Sequence, residues 1–115
     1  MSIKELVGLW FSKWETGDFM NLPISDDFKH TSPYGTISGK QNYLDLVTEN
    51  KDKFLGHKFE ISDALYNNSK ACIQYKAVQP DFELEVTEWH YVKKNKINRI
   101  IAYYNIDEKR ITIDS

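Results

Sequence analysis

Between residues 3 and 14 the apolar side chains Ile3, Leu6, Val7, Trp10, Phe11 and Trp14 return at three- and four-residue steps. That spacing sets them on one face of a helix. Ser2 and Glu5 stand where a capping box needs them and Gly17 supplies a stop, which predicts a helix over residues 2–16. Asp18 to Leu22 reads as a short helical turn before Pro23. From residue 27 the period falls to two. Phe28, His30 and Ser32 share one side of a short strand, 27–32, that runs into the corner Ser32-Pro33-Tyr34-Gly35. Ser38 and Gln41 suggest a second capping box, opening a helix over about 39–55 that carries Tyr43, Leu44 and Val47 and stops at Gly56. Strands follow at 57–66, 70–78, 82–93 and 97–107, with turns at Asn67-Asn68, Gln79-Pro80-Asp81 and Lys94-Asn95-Lys96. Helices, a short strand, a helix and then an antiparallel meander make an α+β domain with its helices on one face of a sheet. A sheet curled around those helices leaves a cavity at its open end.

Composition narrows the partners. The 115 residues suit a single domain, 1–115. Three Trp, seven Tyr and six Phe give that domain an aromatic interior. The formal net charge of -2 offers no field for nucleic acid or an anionic membrane, and Lys93-Lys94-Asn95-Lys96 reads as a solvated turn. Cys72 has no second cysteine to pair with. No basic-then-apolar leader opens the chain, and no apolar run nears the ~18 residues of a membrane span. A cytoplasmic protein is expected. His30, His57 and His90 lack the spacing of metal ligands, so neither a metal nor a cofactor is expected.

Three stretches carry a resemblance: "WETGDFMNL" after the first helix, "DDFKHTSPYGTISGKQNYLDL", and "EWHYVKKNKINRIIAYYNID" near the end. In order and spacing they resemble the nuclear-transport-factor-2-like superfamily, which includes ketosteroid isomerases and SnoaL-like polyketide cyclases. The resemblance covers nearly the whole chain. It implies a cone-shaped α+β fold, a strongly curved, mostly antiparallel sheet around N-terminal helices, and an internal pocket. It also implies a homodimer through the outer face of the sheet, where Ile101 and Tyr103 are apolar enough to want cover. In the isomerases a general-base Asp stands before the Pro of the corner, and here that position is Ser32. Their oxyanion-hole Tyr falls on Trp10, and their protonated Asp falls on Glu88. One carboxyl of three roles is kept, so a true ketosteroid isomerase is not expected.

Laid on the family's inward positions, the cone would contain Ile73, Tyr75 and Ala77, then Val86, Glu88, His90 and Val92, then Ile100, Ala102 and Tyr104. Phe28, His30 and Ser32 enter from the corner, with Tyr34 at the rim, and Trp10, Trp14, Tyr43 and Val47 descend from the helices. Aromatic walls with a few polar groups suit a small apolar or aromatic ligand. His30, Glu88 and His90 are the candidate catalytic residues. Trp10, Trp14, Phe28, Ser32, Tyr34, Tyr43, Val47, Tyr75 and Tyr104 are the candidate ligand contacts. A Glu–His pair supplies an acid or base near neutral pH. The same pair is also how a core satisfies buried polar groups, and a parity shifted by one residue would put both in solvent. Glu88 as counter-ion to a histidine is favoured over Glu88 as a neutral acid, and His30 is expected within hydrogen-bond or one-water reach of Glu88 or His90. An acid/base enzyme of isomerase, cyclase or dehydratase type, a ligand-binding module and a dimerising module all remain open.

Overall fold

The computed structural model describes residues 1–54 and 56–105, and only the backbone of Phe54. Helix α1, Ile3–Thr16, begins as its sequence dictates. The Ser2 hydroxyl accepts from the Glu5 N–H at 3.2 Å, and the Glu5 carboxylate accepts from the Ser2 N–H at 3.3 Å. Gly17 ends it in the left-handed region at φ 78°, which a side chain would strain. A 3-10 turn, Phe19–Asn21, leads to strand β1, Ile24–Ser32, which starts three residues earlier than its pattern predicts.

β1 folds back through Pro33-Tyr34 onto β2, Gly35–Ser38, a strand the sequence does not announce. Its consequence is local. Ser38 is drawn into the ladder opposite Lys29, so it does not cap the next helix. Gly39 takes the cap position at φ 96° with no side-chain bond, while Gln41 donates to Asp45. The expected Ser38–Gln41 capping box is therefore absent. The helix predicted over about 39–55 is two: α2, Lys40–Glu49, and α3, Lys51–Phe54, divided at Asn50. Leu55 lies outside the described residues.

The meander is β3, Lys58–Tyr66; β4, Lys70–Gln79; β5, Phe82–Lys93; and β6, Lys96–Tyr103. Residues 106 and 107 of the last predicted strand lie outside the described residues. The β5–β6 turn is tighter than its three-residue prediction. Lys93 pairs with Lys96, and Lys94 and Asn95 both adopt positive φ, 52° and 61°. Two such residues make the mirror-image turn that matches strand twist.

The open six-stranded sheet runs β2-β1-β6-β5-β4-β3. Every pairing is antiparallel except β1 with β6. The helices cover its concave face, where Leu6, Val7, Trp10 and Phe11 of α1 and Tyr43, Leu44 and Val47 of α2 are buried. They meet Phe28, Ile73, Ile97 and Ile100, which have no exposure at all.

Candidate functional site

Sheet register places the polar groups of the interior. His30 on β1 lies opposite Ile100 on β6, and Ile100 lies opposite His90 on β5. The two histidines thus share one row, two strand spacings or about 10 Å apart in backbone. In the next row Glu88 faces Ala102 on one side and Ile73 on the other. Side chains of both rows point into the concave face, since Glu88 is 3% exposed and His90 0%.

Glu88 is held on both oxygens. The Tyr75 hydroxyl donates to Oε2 at 2.8 Å, and His90 Nε2 lies 2.8 Å from Oε1. Burial alone pushes the Glu88 carboxyl up, but the His90 bond and charge, the His30 charge and the Tyr75 bond together hold it below the usual carboxylate range. Glu88 is therefore ionised at neutral pH. Burial also pushes the Tyr75 and Tyr43 hydroxyls well above 10, with the Glu88 charge adding to it, so both phenols stay protonated.

His30 is half-buried. Its ring stacks on Tyr43 with centroids 5.1 Å apart and also meets Phe28. No direct hydrogen bond joins it to Glu88 or His90 among the described residues. Burial first, and then the His90 charge, lower its pKa, with the Glu88 charge opposing them. Neutral imidazole is its form at pH 7. His90 packs between Trp10 and Phe11, each with its ring centroid at 5.9 Å. Its Nδ1 is buried without a hydrogen-bond partner among the described residues.

The remaining candidates divide into wall and rim. Trp10, Phe28, Tyr43, Val47 and Tyr75 are buried wall, and Trp14 is half-buried against Trp10 and Phe19. At the rim Ser32 bonds the Tyr104 hydroxyl and accepts from the Tyr34 N–H, while the Tyr34 ring stands in solvent near Tyr104. Tyr75 is the second partner of Glu88, which the sequence did not single out among the inward tyrosines. Its alternation with Ile73 put it on the correct face, but only register brings its hydroxyl to Glu88.

Three surface clefts lie elsewhere. One of about 570 Å³ sits by Lys58 and Phe82, one of about 470 Å³ by Asp27, Lys40 and Lys94, and one of about 620 Å³ by Ile61, Gln74 and Tyr103. None of the three touches His30, Glu88 or His90. Among the described residues no metal-ligating cluster forms, and no helix is long and apolar enough to cross a membrane.

No protein-family model matches the sequence, and no curated protein matches it either. Solved structures do. An NTF2-like protein of unknown function from Cytophaga hutchinsonii ATCC 33406 superposes with a TM-score of 0.79 at 15% identity, covering 91% of each chain. A candidate polyketide cyclase from Pseudomonas putida KT2440 gives 0.76 at 19% identity, over 92% of this chain and 93% of that one. A candidate ketosteroid isomerase from Kribbella flavida DSM 17836 gives 0.76 at 13% identity, over 94% of this chain and 81% of that one. At such identities the likeness speaks of architecture, and the open curved sheet wrapped on α1 and α2 is the NTF2-like cone fold.

Proposed function

We propose that the chain binds a small apolar or aromatic molecule and performs cofactor-independent acid/base chemistry on it. The observation that carries this reading is the Glu88–His90 pair, ionisable, 2.8 Å apart and sealed in an aromatic interior. Burying charge is costly, and a core needing only shape would be at least as stable with apolar residues there. In this reading half-buried His30 is the group that exchanges a proton with the substrate, because it is neutral and nearest the rim. Glu88 is the fixed anion of the buried pair. Isomerisation, cyclisation or dehydration fits such a set. Ligand-induced stabilisation tests it across steroids, polyketide-like aromatics and terpenoids. A ligand near a hundredfold its Kd should raise Tm by roughly 10 °C, and His30→Ala should remove the turnover of that ligand while the fold persists. No stabilisation by any class would end this reading.

A second reading has its own support. Among the described residues His30 makes no hydrogen bond to the pair, as suits a filled interior in a dimerising module. We propose in either case that two copies meet over the outer face. Tyr103 is 58% and Leu65 73% exposed there. Light scattering at micromolar concentration tests this, and a monomer overturns it.

A further inference from the structure

The buried pair has a direction. Ionised Glu88 accepts only, so a hydrogen on His90 Nε2 must point at Oε1, just as the Tyr75 hydroxyl points at Oε2. When neutral, the His90 imidazole has one ring proton. With that proton on Nε2, Nδ1 carries a bare lone pair. Among the described residues Nδ1 has no partner, although the residue is fully buried. Buried polar atoms in folded proteins are nearly always paired, so an unpaired one calls for a partner from outside the chain. The walls limit what that partner is. Trp10 and Phe11 flank the ring, which favours an apolar or aromatic body. An anionic end would sit one imidazole away from the Glu88 charge, which disfavours phenolates and carboxylates.

Resting on the ligand-site reading above, we infer that His90 Nδ1 is the hydrogen-bond acceptor for the ligand, which reaches it with a neutral hydroxyl or N–H. The site then selects a proton donor. That is the opposite polarity to an oxyanion hole, since Glu88 has no proton to give. Tyr75 is a positioning residue: by occupying Oε2 it leaves Oε1 to fix the histidine tautomer.

Nitrogen NMR of histidine-labelled protein at pH 7 tests this, with phenol and anisole as probes. The free protein should show His90 as the Nε2–H tautomer. Phenol should move its Nδ1 signal and bind at least roughly tenfold more tightly than anisole, which lacks the hydrogen. Tyr75→Phe should reduce the population of that tautomer and narrow the gap between the two probes. An Nδ1–H tautomer, or an imidazolium, in the free protein overturns the inference. So does phenol binding that leaves Nδ1 unmoved, or equal binding of the two probes, and both of those results leave the ligand site standing. Failure of both probes to bind overturns the inference, and the ligand-site reading is then decided by the stabilisation screen above.

Discussion

The two faces of β5 are inverted relative to each other between residues 87 and 91. An antiparallel strand with one side on a core normally turns its apolar residues inward and its polar ones out. Here Glu88 and His90 are buried, while Trp89 and Tyr91 lie on the outer side and are only half-buried. Outside, the aromatics take what cover they find: Lys70 lies over Trp89 and Arg99 over Tyr91. Inside, charge is stabilised by partners at fixed distance. The contrast separates two kinds of constraint. The outer face tolerates exchange, because solvated cation–π contacts are worth about 0.5–1 kcal/mol. The inner face is cooperative, because each partner of Glu88 is there on account of the others.

The strongest way to break the contrast is to remove one inner partner. Glu88→Ala should destabilise the fold by about 3–5 kcal/mol in urea unfolding, whereas Trp89→Ser should cost about 1 kcal/mol. Replacing the pair together, as Glu88→Met with His90→Leu, should restore most of that stability and abolish ligand binding. Equal losses from Glu88→Ala and Trp89→Ser would show that the faces do not differ.

The outer face should fail in a different way. Ile101→Asp is expected to yield monomer or aggregate in light scattering while leaving the interior histidine resonances in place. An unchanged dimer would move the contact away from Ile101.

Acid separates His30 from Glu88 more gently. His30 binds its proton less tightly folded than unfolded. Stability should therefore fall as pH drops through about 6.5, the unfolded value, and level off once folded His30 also titrates. Glu88 works in a lower window. Its folded pKa is lowered, so its contribution is complete above about pH 4.3 and lost as pH falls through the folded value. His30→Gln should flatten the upper slope, and Glu88→Gln should remove the lower one. Chemical unfolding at a series of pH values reads both, and an upper slope that survives His30→Gln would assign it elsewhere.

The smallest effect sits at the turn that sets the register of β5 against β6. Asn95 is left-handed at φ 61°, and Asn95→Gly should stabilise by about 0.5–1 kcal/mol. Thermal unfolding that shows a loss would mean that the Asn95 side chain is itself a contact.

Much of this architecture could be read from the chain because the signals were local. The Ser2–Glu5 box, Gly17 and the six apolar positions of α1 lie within 16 residues and agree with one another. The long strands announced themselves by alternation and turn residues. What escaped was set by distance. β2 holds only Thr36, Ile37 and Ser38 after a glycine, too short for a period, and it exists because β1 offers an edge. That pairing then removed Ser38 from its capping role. In the interior, alternation could set Glu88 and His90 on the same face. It could not say which partner each would find. Tyr75 reaches Glu88 through the β4–β5 ladder, and His30 joins the His90 row through a parallel pairing that no local pattern encodes.

That parallel pairing of β1 with β6 has a consequence for how the protein is made. A row that begins at residue 30 and is completed at residue 100 exists only after synthesis has passed residue 100. The β3–β4 and β4–β5 hairpins need only near neighbours and can form while synthesis continues. His30 waits with that edge of β1 unpaired until β6 arrives. The row that joins the two histidines is thus completed late, by a contact of high sequence separation, and a chain shortened before Lys96 would carry every candidate proton-transfer group without the strand that places His30 beside the Glu88–His90 pair.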